Sequence, residues 1–256
     1  MATEQRGGSR GGNVVRVRPP GERSSLSRSA TRALDILEFF GQVQRPLRAI
    51  EISRALNLGP STTDQLLKTM VESAHLTFDA SIKSYLPSPR LARFGAWMVT
   101  NYGANERLQT LLAEVQRASG ETVTITTPND IFMQIVDLAG GRDSTETAVR
   151  GLRVSVFGST IGTAYLSTLA TTDIAKLATR ARVFPGNLPR LLASIERVRL
   201  EGVGDGPSPD GEIWSVAAPL PKRNALAPLV LGLAGPTPRV QPNIAFLREL
   251  IRGAAA

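Results

Sequence analysis

Cysteine is absent from the 256-residue sequence, and histidine occurs once, as His75. The first absence excludes disulfides, thiolate metal sites and a cysteine nucleophile. The second excludes any site that needs two imidazole groups. We therefore expect neither a cofactor nor a metal ion, and a chain free of cysteine fits the reducing cytoplasm.

Long apolar segments are also missing. No run approaches the roughly 20 residues that a membrane-spanning helix needs, so no membrane partner is expected. Residues 1–23 combine arginine with glycine and lack the apolar stretch of a secretory signal, which favours a cytoplasmic location. Hydrophobic residues make up 42% of the chain and charged residues 20%, as in a globular protein, and the length is typical of two domains.

Common catalytic motifs are missing as well. The sequence contains no G-x-S-x-G nucleophile elbow, no phosphate-binding P-loop and no dinucleotide fingerprint. His75 lies between a predicted helix and a predicted hairpin, where we expect a surface or hinge role rather than acid–base catalysis. The sequence therefore predicts a protein that is not an enzyme.

Positive charge is present in excess and is unevenly distributed. The formal net charge is +8, and residues 1–100 account for +6 of it. This asymmetry is typical of a nucleic-acid-binding end, although a solvated basic surface would also produce it. Residues 1–26 contain arginine among glycine, serine and proline, which predicts a disordered basic arm. Such an arm could follow DNA phosphates or be an inert solubilising tail.

Amphipathic helices are predicted directly after this arm. Apolar residues recur at helical spacing over residues 29–40, and Gly41 and Pro46 are expected to end that helix. A second, shorter helix is predicted over residues 49–56. These two helices form the first part of a small helical domain.

A third helix is predicted over residues 61–73, with Ser61 as its N-cap. The turn before it contains Asn57, which tolerates the left-handed backbone that a tight turn requires. Ser53 is small where two helices would cross closely. Helix, tight turn and helix predict a helix-turn-helix, whose core would contain Ile52, Leu56, Leu58 and Leu66.

A hairpin and a long helix follow the helix-turn-helix. Residues 76–78 and 84–86 are predicted as two short strands around a turn at residues 79–83, which would form a wing. Residues 87–102 return to a helical pattern and predict a linker helix that leaves the DNA-binding domain.

The third helix contains the strongest functional signal, because short polar groups lie at its N-terminus and a cation lies one turn later. Gln65 could bond the N6/N7 edge of adenine, and Asp64 could accept from cytosine N4 or simply favour the helix N-terminus. Thr62 could contact a thymine methyl or a phosphate, and Lys68 a phosphate. An ordinary surface helix is the alternative. The candidate DNA-binding residues are Ser61, Thr62, Asp64, Gln65, Lys68 and, in the wing, Lys83.

The remaining residues alternate between helical and strand patterns and predict an α/β domain of about 150 residues. Pro128-Asn129-Asp130 is expected to turn between the first two strands. The backbone at residues 158–162 precedes an apolar helix and could bind an anion, or be an ordinary capped helix start. Strands are predicted over residues 122–127, 132–138, 153–157, 213–218 and 229–234, and helices over 104–118, 160–169, 172–180, 188–201 and 243–252.

Seven segments together resemble the IclR family of bacterial regulators. Each match alone is weak, but their order and spacing are fairly specific, and the resemblance extends over residues 27–252. The segments are SATRALDIL at 29–37, PSTTDQLL at 60–67, YLPSPRL at 85–91, GLR at 151–153, GSTIGTAYL at 158–166, AAPL at 217–220 and GP at 235–236.

The resemblance implies a two-domain α+β protein with an N-terminal winged helix-turn-helix and a C-terminal GAF-like α/β effector domain. It implies a disordered arm at 1–26, a DNA-binding domain at 27–87, a linker helix at 88–103, and an effector-binding and oligomerisation domain at 104–256. The implied partners are operator DNA, a small metabolite such as an organic acid, and further copies in a homodimer or homotetramer. The implied effector contacts are the backbone amides of Thr160 and Ile161, and Asp205, Ser215, Gly232 and Ala234.

The chain departs from the family pattern at several of these positions. Gln65 stands where arginine is common, and Ser215 where cysteine is common. Gly232 and Ala234 replace hydroxyl residues of some members. The smaller number of side-chain donors implies an effector larger or less polar than a two-carbon acid, or a loss of effector binding.

The sequence thus predicts a DNA-binding transcriptional regulator whose second domain senses a small molecule. A ligand-independent architectural DNA-binding protein, whose large domain only oligomerises, is the alternative. An enzyme tethered to DNA is a third hypothesis, and it would need a polar catalytic cluster that the sequence does not offer.

Overall fold

The computed structural model describes residues 27–102, 105–141, 148–221 and 227–256. Contacts divide the chain into two compact units that separate between Asn101 and Tyr102. The predicted basic arm at 1–26 lies outside the described residues. Within the described ranges, no helix is long and apolar enough to cross a bilayer.

The N-terminal unit is a winged helix-turn-helix, as predicted. The two strands of the wing pair in antiparallel fashion, and Leu76 lies opposite Pro87. The helix predicted as a linker begins at Pro89. The elements are helices α1 (Arg28–Val43), α2 (Ala49–Ala55) and α3 (Pro60–Glu72), strands β1 (Leu76–Asp79) and β2 (Ser84–Pro87), and helix α4 (Pro89–Tyr102).

The core of this unit forms where the apolar faces of the three helices meet the wing. Ile52 is fully buried as predicted, while Leu56 and Leu66 pack against the cluster partly buried. Such helical spacing places apolar side chains on one face, and burial of that face stabilises the unit. The buried members are Ile36, Phe40, Leu47, Ile52, Leu67, Met70 and Leu76.

The tight turn between α2 and α3 has the predicted geometry. Asn57 adopts a left-handed backbone with φ 49°. Ser53 is buried, and its hydroxyl donates to the Leu58 carbonyl at 2.7 Å. A larger side chain at Ser53 would push the two helices apart. Ser53 and Asn57 therefore determine the orientation of α3 relative to α2.

Two predicted helix ends are wrong. Gly41 lies inside α1, which continues to Val43, and the left-handed residue Gln44 (φ 52°) ends the helix with its amide bonded to the Phe40 carbonyl. Ser61 is not the N-cap of α3, because Gly59 is the cap and Pro60 is the first helical residue. Proline fits that position, since the first helical amide has no partner within the helix.

The C-terminal unit contains one antiparallel six-stranded sheet, ordered β5-β4-β3-β8-β7-β6, and confirms the predicted α/β class. Its helices are α5 (Asn105–Ser119), α6 (Thr160–Leu166), α7 (Thr171–Arg180), α8 (Leu188–Glu201), α9 (Thr237–Val240) and α10 (Ile244–Ala254). Its strands are β3 (Thr122–Asn129), β4 (Phe132–Ala139), β5 (Arg153–Ser155), β6 (Gly204–Pro207), β7 (Ile213–Pro219) and β8 (Val230–Pro236).

Helices cover both faces of this sheet and create two apolar clusters. On one face, α5 and α10 contribute Leu112 and Leu247, which pack with Val216 of β7. On the other face, α6 and α8 contribute Ala164 and Ile195, which pack with Ala217 of β7. Because neighbouring residues of a strand point to opposite faces, each strand residue can be assigned to one layer.

Three features of this unit differ from the predictions. Strand β6 was not predicted, and neither was the short helix α9. Strand β3 continues through Pro128 to Asn129, so the turn before β4 is displaced to Asp130, whose φ is 58°, and Ile131. Strand β6 has the sequence Gly-Asp-Gly-Pro and lacks any apolar alternation. It forms because it pairs with β7 at the sheet edge, a position that tolerates proline.

Candidate DNA-binding surface and ligand site

The exposed face of α3 is the first candidate site. Thr63, Leu67 and Met70 form its buried face. Most of the predicted DNA-binding residues lie on the opposite side, and Thr62 is half-buried at the edge. Ser61, Asp64, Gln65, Lys68, Thr69 and Glu72 line a shallow groove along the helix.

Thr69 and Glu72 belong to this face but were not predicted as DNA contacts. Thr69 follows Gln65 by four residues, and its hydroxyl donates to the Gln65 carbonyl at 2.9 Å. Glu72 follows Lys68 by four residues and lies in the last turn. Residues four apart share a helix face, so the sequence spacing alone could have placed Thr69 beside Gln65 and Glu72 beside Lys68.

The charge on this groove is unusual for a surface that would contact DNA. Lys68 is its single cation, against the two carboxylates of Asp64 and Glu72. None of these three side chains forms an ion pair or hydrogen bond with another described residue. The groove therefore offers polar groups that can recognise bases, but it supplies little attraction for phosphate.

The wing lies beside the N-terminal half of α3. Burial, and then the negative charge of Asp64, raise the pKa of Tyr85 on β2. The amide of Leu47 donates to the Tyr85 carbonyl at 3.0 Å, and the amide of Tyr85 donates back to the Leu47 carbonyl at 2.8 Å. These bonds fix the wing to the helical domain.

A compact turn forms the tip of the wing. The Asp79 carboxylate accepts from the Ser81 amide at 2.8 Å and from its hydroxyl at 2.6 Å. The hydroxyl and then the amide hydrogen bond lower the pKa of Asp79. Lys83 follows with a left-handed backbone (φ 52°), and its side chain is exposed beside the exposed Ile82. The tip thus presents one cation to solvent.

The second candidate site lies in the C-terminal unit, where α6 covers the sheet. The Ser215 hydroxyl donates to the Thr160 hydroxyl at 2.8 Å and lies 3.3 Å from the Gly206 carbonyl. Ser215 pairs in register with Ala234 on the neighbouring strand. Gly232 lies beneath Ile161, since a Cβ at Gly232 would be 2.9 Å from the Ile161 Cγ2 atom.

Asp205 does not join the other predicted effector contacts, contrary to the sequence-based expectation. Those contacts are Thr160, Ile161, Ser215, Gly232 and Ala234. Asp205 pairs in register with Val216, which faces α5 and α10. Its carboxylate forms an ion pair with Arg248 of α10 and accepts from the Trp214 indole at 3.3 Å. Gly206, the next residue, faces α6 instead. The alternation of β6 therefore separates Asp205 from Thr160 by the thickness of the sheet.

The start of α6 is a capped helix. Gly158 has φ 85°, and the Ser159 hydroxyl accepts from the Gly162 amide at 3.1 Å. Among the described residues, no acceptor bonds the amides of Thr160 and Ile161. Gly162 allows α6 to dock closely, because a Cβ there would lie 1.9 Å from the Val156 carbonyl oxygen.

Thr124 is a further polar residue at this place that sequence reasoning missed. It pairs in register with Gly232, and only 8% of it is exposed. Its hydroxyl forms no hydrogen bond with any described residue and would lie 3.0 Å from a Cβ at Gly232. The alternation of Thr122, Thr124 and Thr126 was visible in the sequence. Their common face could not be identified before the sheet order was known.

Comparison with known proteins identifies the type of helix-turn-helix. Residues 29–79 match the model of the IclR helix-turn-helix domain. The helix-turn-helix of this chain is therefore of the IclR type. The matched range extends from α1 to the end of β1, so the family model covers the helix-turn-helix and the first strand of the wing.

Solved structures share the fold of this chain, and their matches extend over both units. The Thermotoga maritima IclR is 16% identical with a TM-score of 0.55, and the match covers 89% of this chain and 95% of that one. The Pseudomonas aeruginosa HmgR is 18% identical with a TM-score of 0.53, and covers 90% and 95%. At such identities the likeness shows a common fold.

One curated protein is similar to part of this chain. The HTH-type transcriptional regulator XynR of Escherichia coli is 27% identical over 97 residues. That match covers 38% of this chain and 38% of the relative, so the chain spans about two fifths of that protein's length.

Proposed function

We propose that this protein is a sequence-specific transcriptional regulator that binds double-stranded operator DNA through α3 and responds to a small metabolite. The exposed polar face of α3, within an IclR helix-turn-helix, carries the proposal. The relative XynR is itself described as an HTH-type transcriptional regulator. The second helix of a helix-turn-helix is the one that enters the major groove.

Base recognition would come from the N-terminal half of α3. Gln65 has the amide geometry to bond adenine N6 and N7 together, and Asp64 can only accept, which suits cytosine N4. Ser61 and Thr62 are short enough to contact bases or phosphates near the helix start. Lys68, one turn further along, would contact a phosphate.

Phosphate affinity must come largely from outside this groove, because Lys68 is its only cation. Lys83 at the wing tip is one source that we propose, and the arginines within residues 1–26 are another. Each phosphate contact releases bound counterions and steepens the salt dependence of binding by about one unit.

Anisotropy titration tests this proposal. The labelled DNA would come from upstream of the protein's own gene and its neighbours, with random DNA as control, at several salt concentrations. A preference of about 10³-fold or more at near-physiological salt, with a steep salt slope, is expected. Equal binding to both DNAs would favour the architectural alternative, and no binding would contradict the proposal.

The metabolite site that we propose consists of Thr160, Ile161, Ser215, Gly232 and Ala234, with the Thr124 hydroxyl as an addition. Asp205 is left out because it pairs with Arg248 on the other face of the sheet. These side chains include no charged group, so the polar recognition groups would be hydroxyls and backbone amides. An aromatic or other organic acid of modest polarity fits such a site.

Isosteric substitutions would test the metabolite site. Thr160→Val and Ser215→Ala remove the two bonded hydroxyls and preserve most of the volume. Organic and aromatic acids would be screened for a change in operator affinity and in melting temperature. We expect the variants to lose any response of the wild-type protein while retaining operator affinity.

The architectural alternative has one observation in its favour. Ile161 packs directly over Gly232, so α6 lies closely on the sheet where a ligand would bind. If no acid changes the operator affinity of the wild-type protein, and if Thr160→Val and Ser215→Ala also leave it unchanged, the second domain serves oligomerisation alone. A homodimer or homotetramer in the cytoplasm is part of the proposal in both cases.

The proposed domain limits follow the sequence: an arm at 1–26, a DNA-binding domain at 27–87, a linker helix at 88–103 and an effector domain at 104–256. The linker helix is the natural route of transmission, because it joins the two domains along the chain. A metabolite regulates only if it binds the DNA-competent and DNA-incompetent arrangements with different affinities.

A further inference from the structure

The carboxyl end of α3 is bonded directly to the start of α4. The amide of Ser88 donates to the His75 carbonyl at 3.0 Å, and its hydroxyl donates to the Ala74 carbonyl at 2.6 Å. Ser88 is 8% exposed. Its hydroxyl also accepts from the Arg90 amide at 3.2 Å, so one side chain bonds both helix ends.

Arg90 adds a second connection between the same two helices. Its guanidinium donates to the Ser73 carbonyl at 2.9 Å, and Ser73 is the C-cap of α3. The last carbonyls of a helix lack partners within the helix, and the negative end of the helix dipole favours a cation there. We call Ser88 and Arg90, with these bonds, the latch.

The backbone between the two helices has an uncommon conformation that the latch holds. Ala74 has φ 58°, in the left-handed region where glycine is the usual residue. The His75 amide bonds back to the Met70 carbonyl at 2.8 Å, which closes the end of α3. Because alanine is strained in this conformation, it persists only where surrounding bonds determine it. The Ser88 hydroxyl bond to the Ala74 carbonyl is such a bond.

We propose that Ser88 and Arg90 are positioning residues for DNA reading: they set the orientation of α3 in the major groove without touching bases. The inference rests on the proposed DNA-binding function. Binding groups must be held within about 0.5 Å of their productive geometry, and base contacts rather than phosphate contacts carry the sequence information. The latch also couples the start of α4, the linker helix, rigidly to the end of α3.

The full-length variants Ser88→Ala and Arg90→Gln test the latch. Arg93→Gln is the matched control, since Arg93 lies on the same helix and its exposed side chain forms no hydrogen bond or ion pair with another described residue. DNA selected from a random library by the wild-type protein serves as the specific site, and scrambled DNA as the non-specific one. Anisotropy gives both affinities and their salt slopes, and circular dichroism at the same temperature checks that each variant is folded.

We expect Ser88→Ala to weaken specific binding about three- to tenfold and to leave scrambled DNA and the salt slope unchanged. Arg90→Gln should weaken specific binding by a similar factor relative to Arg93→Gln, with the same salt slope as that control. A cap that only stabilises the fold would lower the melting temperature and leave the ratio of the two affinities unchanged.

Three results would overturn the proposal. Unchanged specific binding in both variants would limit Ser88 and Arg90 to a structural role. The second is that Arg90→Gln, but not Ser88→Ala, weakens binding to specific and scrambled DNA by the same factor. With a salt slope about one unit below that of Arg93→Gln, this result would make Arg90 a phosphate contact. Wild-type protein that selects no sequence would contradict the proposed sequence-specific function itself, a failure separate from that of the latch.

Discussion

The carboxylate of Glu121 is held at both oxygens by the guanidinium of Arg239, at 2.5 Å from Nε and 2.7 Å from Nη2. Only 4% of the Glu121 side chain is exposed. The pair fixes the start of β3 to α9. Gly235 makes room for it, because a Cβ there would lie 2.1 Å from a Glu121 oxygen.

Removing the cation from this pair should destabilise the C-terminal unit. Arg239→Met leaves a buried carboxylate without its partner, so we expect a loss of about 3 kcal/mol in the free energy of unfolding. This loss is at the lower end of the range expected when a buried ion pair is broken, because the Arg239 side chain is partly exposed. Urea denaturation followed by circular dichroism measures it.

Lys176→Met is the control for that measurement. The pair that it breaks, with Asp173, is solvent-exposed on both sides, so the loss should be at most about 0.5 kcal/mol. Equal losses in the two variants would contradict the assignment of Glu121 and Arg239 as a stabilising buried pair.

The close docking of α6 gives a second stability prediction. Gly162→Ala places a methyl group 1.9 Å from the Val156 carbonyl oxygen, and backbone cannot rotate away as a side chain can. We expect a loss of about 1–3 kcal/mol. Gly253→Ala in α10 has no neighbour within 4 Å and should gain about 0.5–1 kcal/mol from helix propensity. Thermal melts of both variants check the predicted opposite signs.

The acidic residues of the α3 groove lead to a prediction on specificity. Asp64→Asn removes a negative charge from the face that we propose contacts DNA, so affinity for scrambled DNA should rise about three- to tenfold. If Asp64 accepts from a cytosine, the preference for the selected site should fall about tenfold at the same time. Anisotropy on both DNAs measures the two affinities.

Glu72→Gln separates charge from base recognition. It removes the same charge from the same groove, at the end of the helix away from the predicted base contacts. Its affinity for both DNAs should rise by one common factor. If Glu72→Gln lowered the preference for the selected site as much as Asp64→Asn does, loss of a negative charge alone would explain both results, and Asp64 would not be a base contact.

Asp205 lies on the face of the sheet covered by α10, and this position gives a fourth prediction. Asp205→Asn weakens the ion pair with Arg248 and should lower the melting temperature of the protein. Because its side chain faces α10 rather than α6, the metabolite response should stay at the wild-type level. A loss of response matching that of Thr160→Val would place Asp205 in the ligand site after all.

Local periodicity was enough to predict the N-terminal unit. The apolar spacing of α1 and α3 and the left-handed Asn57 identified the helix-turn-helix, since these signals act within a few residues. The cap of α3 was misplaced because serine is a preferred N-cap residue, whereas Pro60 is favoured at the first helical position and leaves Gly59 as the cap.

The proposed ligand site was harder to predict, because it depends on pairing between distant strands. Strand β6 has no apolar alternation of its own, and only its register with β7 determines that Asp205 and Gly206 face opposite layers. Thr124 enters the site through its pairing with Gly232, more than a hundred residues away. No local pattern encodes either relationship.

The most direct test of the central claim, that the exposed face of α3 reads the operator, is sequence selection from random DNA by the wild-type protein and Gln65→Ala. The wild-type protein should enrich one sequence, and Gln65→Ala should enrich the same sequence except at one base-pair position, where the preference for adenine is lost. Lys83→Gln, a change in the wing, should enrich the unaltered sequence with lower affinity. Identical enrichment by the wild-type protein and Gln65→Ala, or no enrichment at all, would contradict the account.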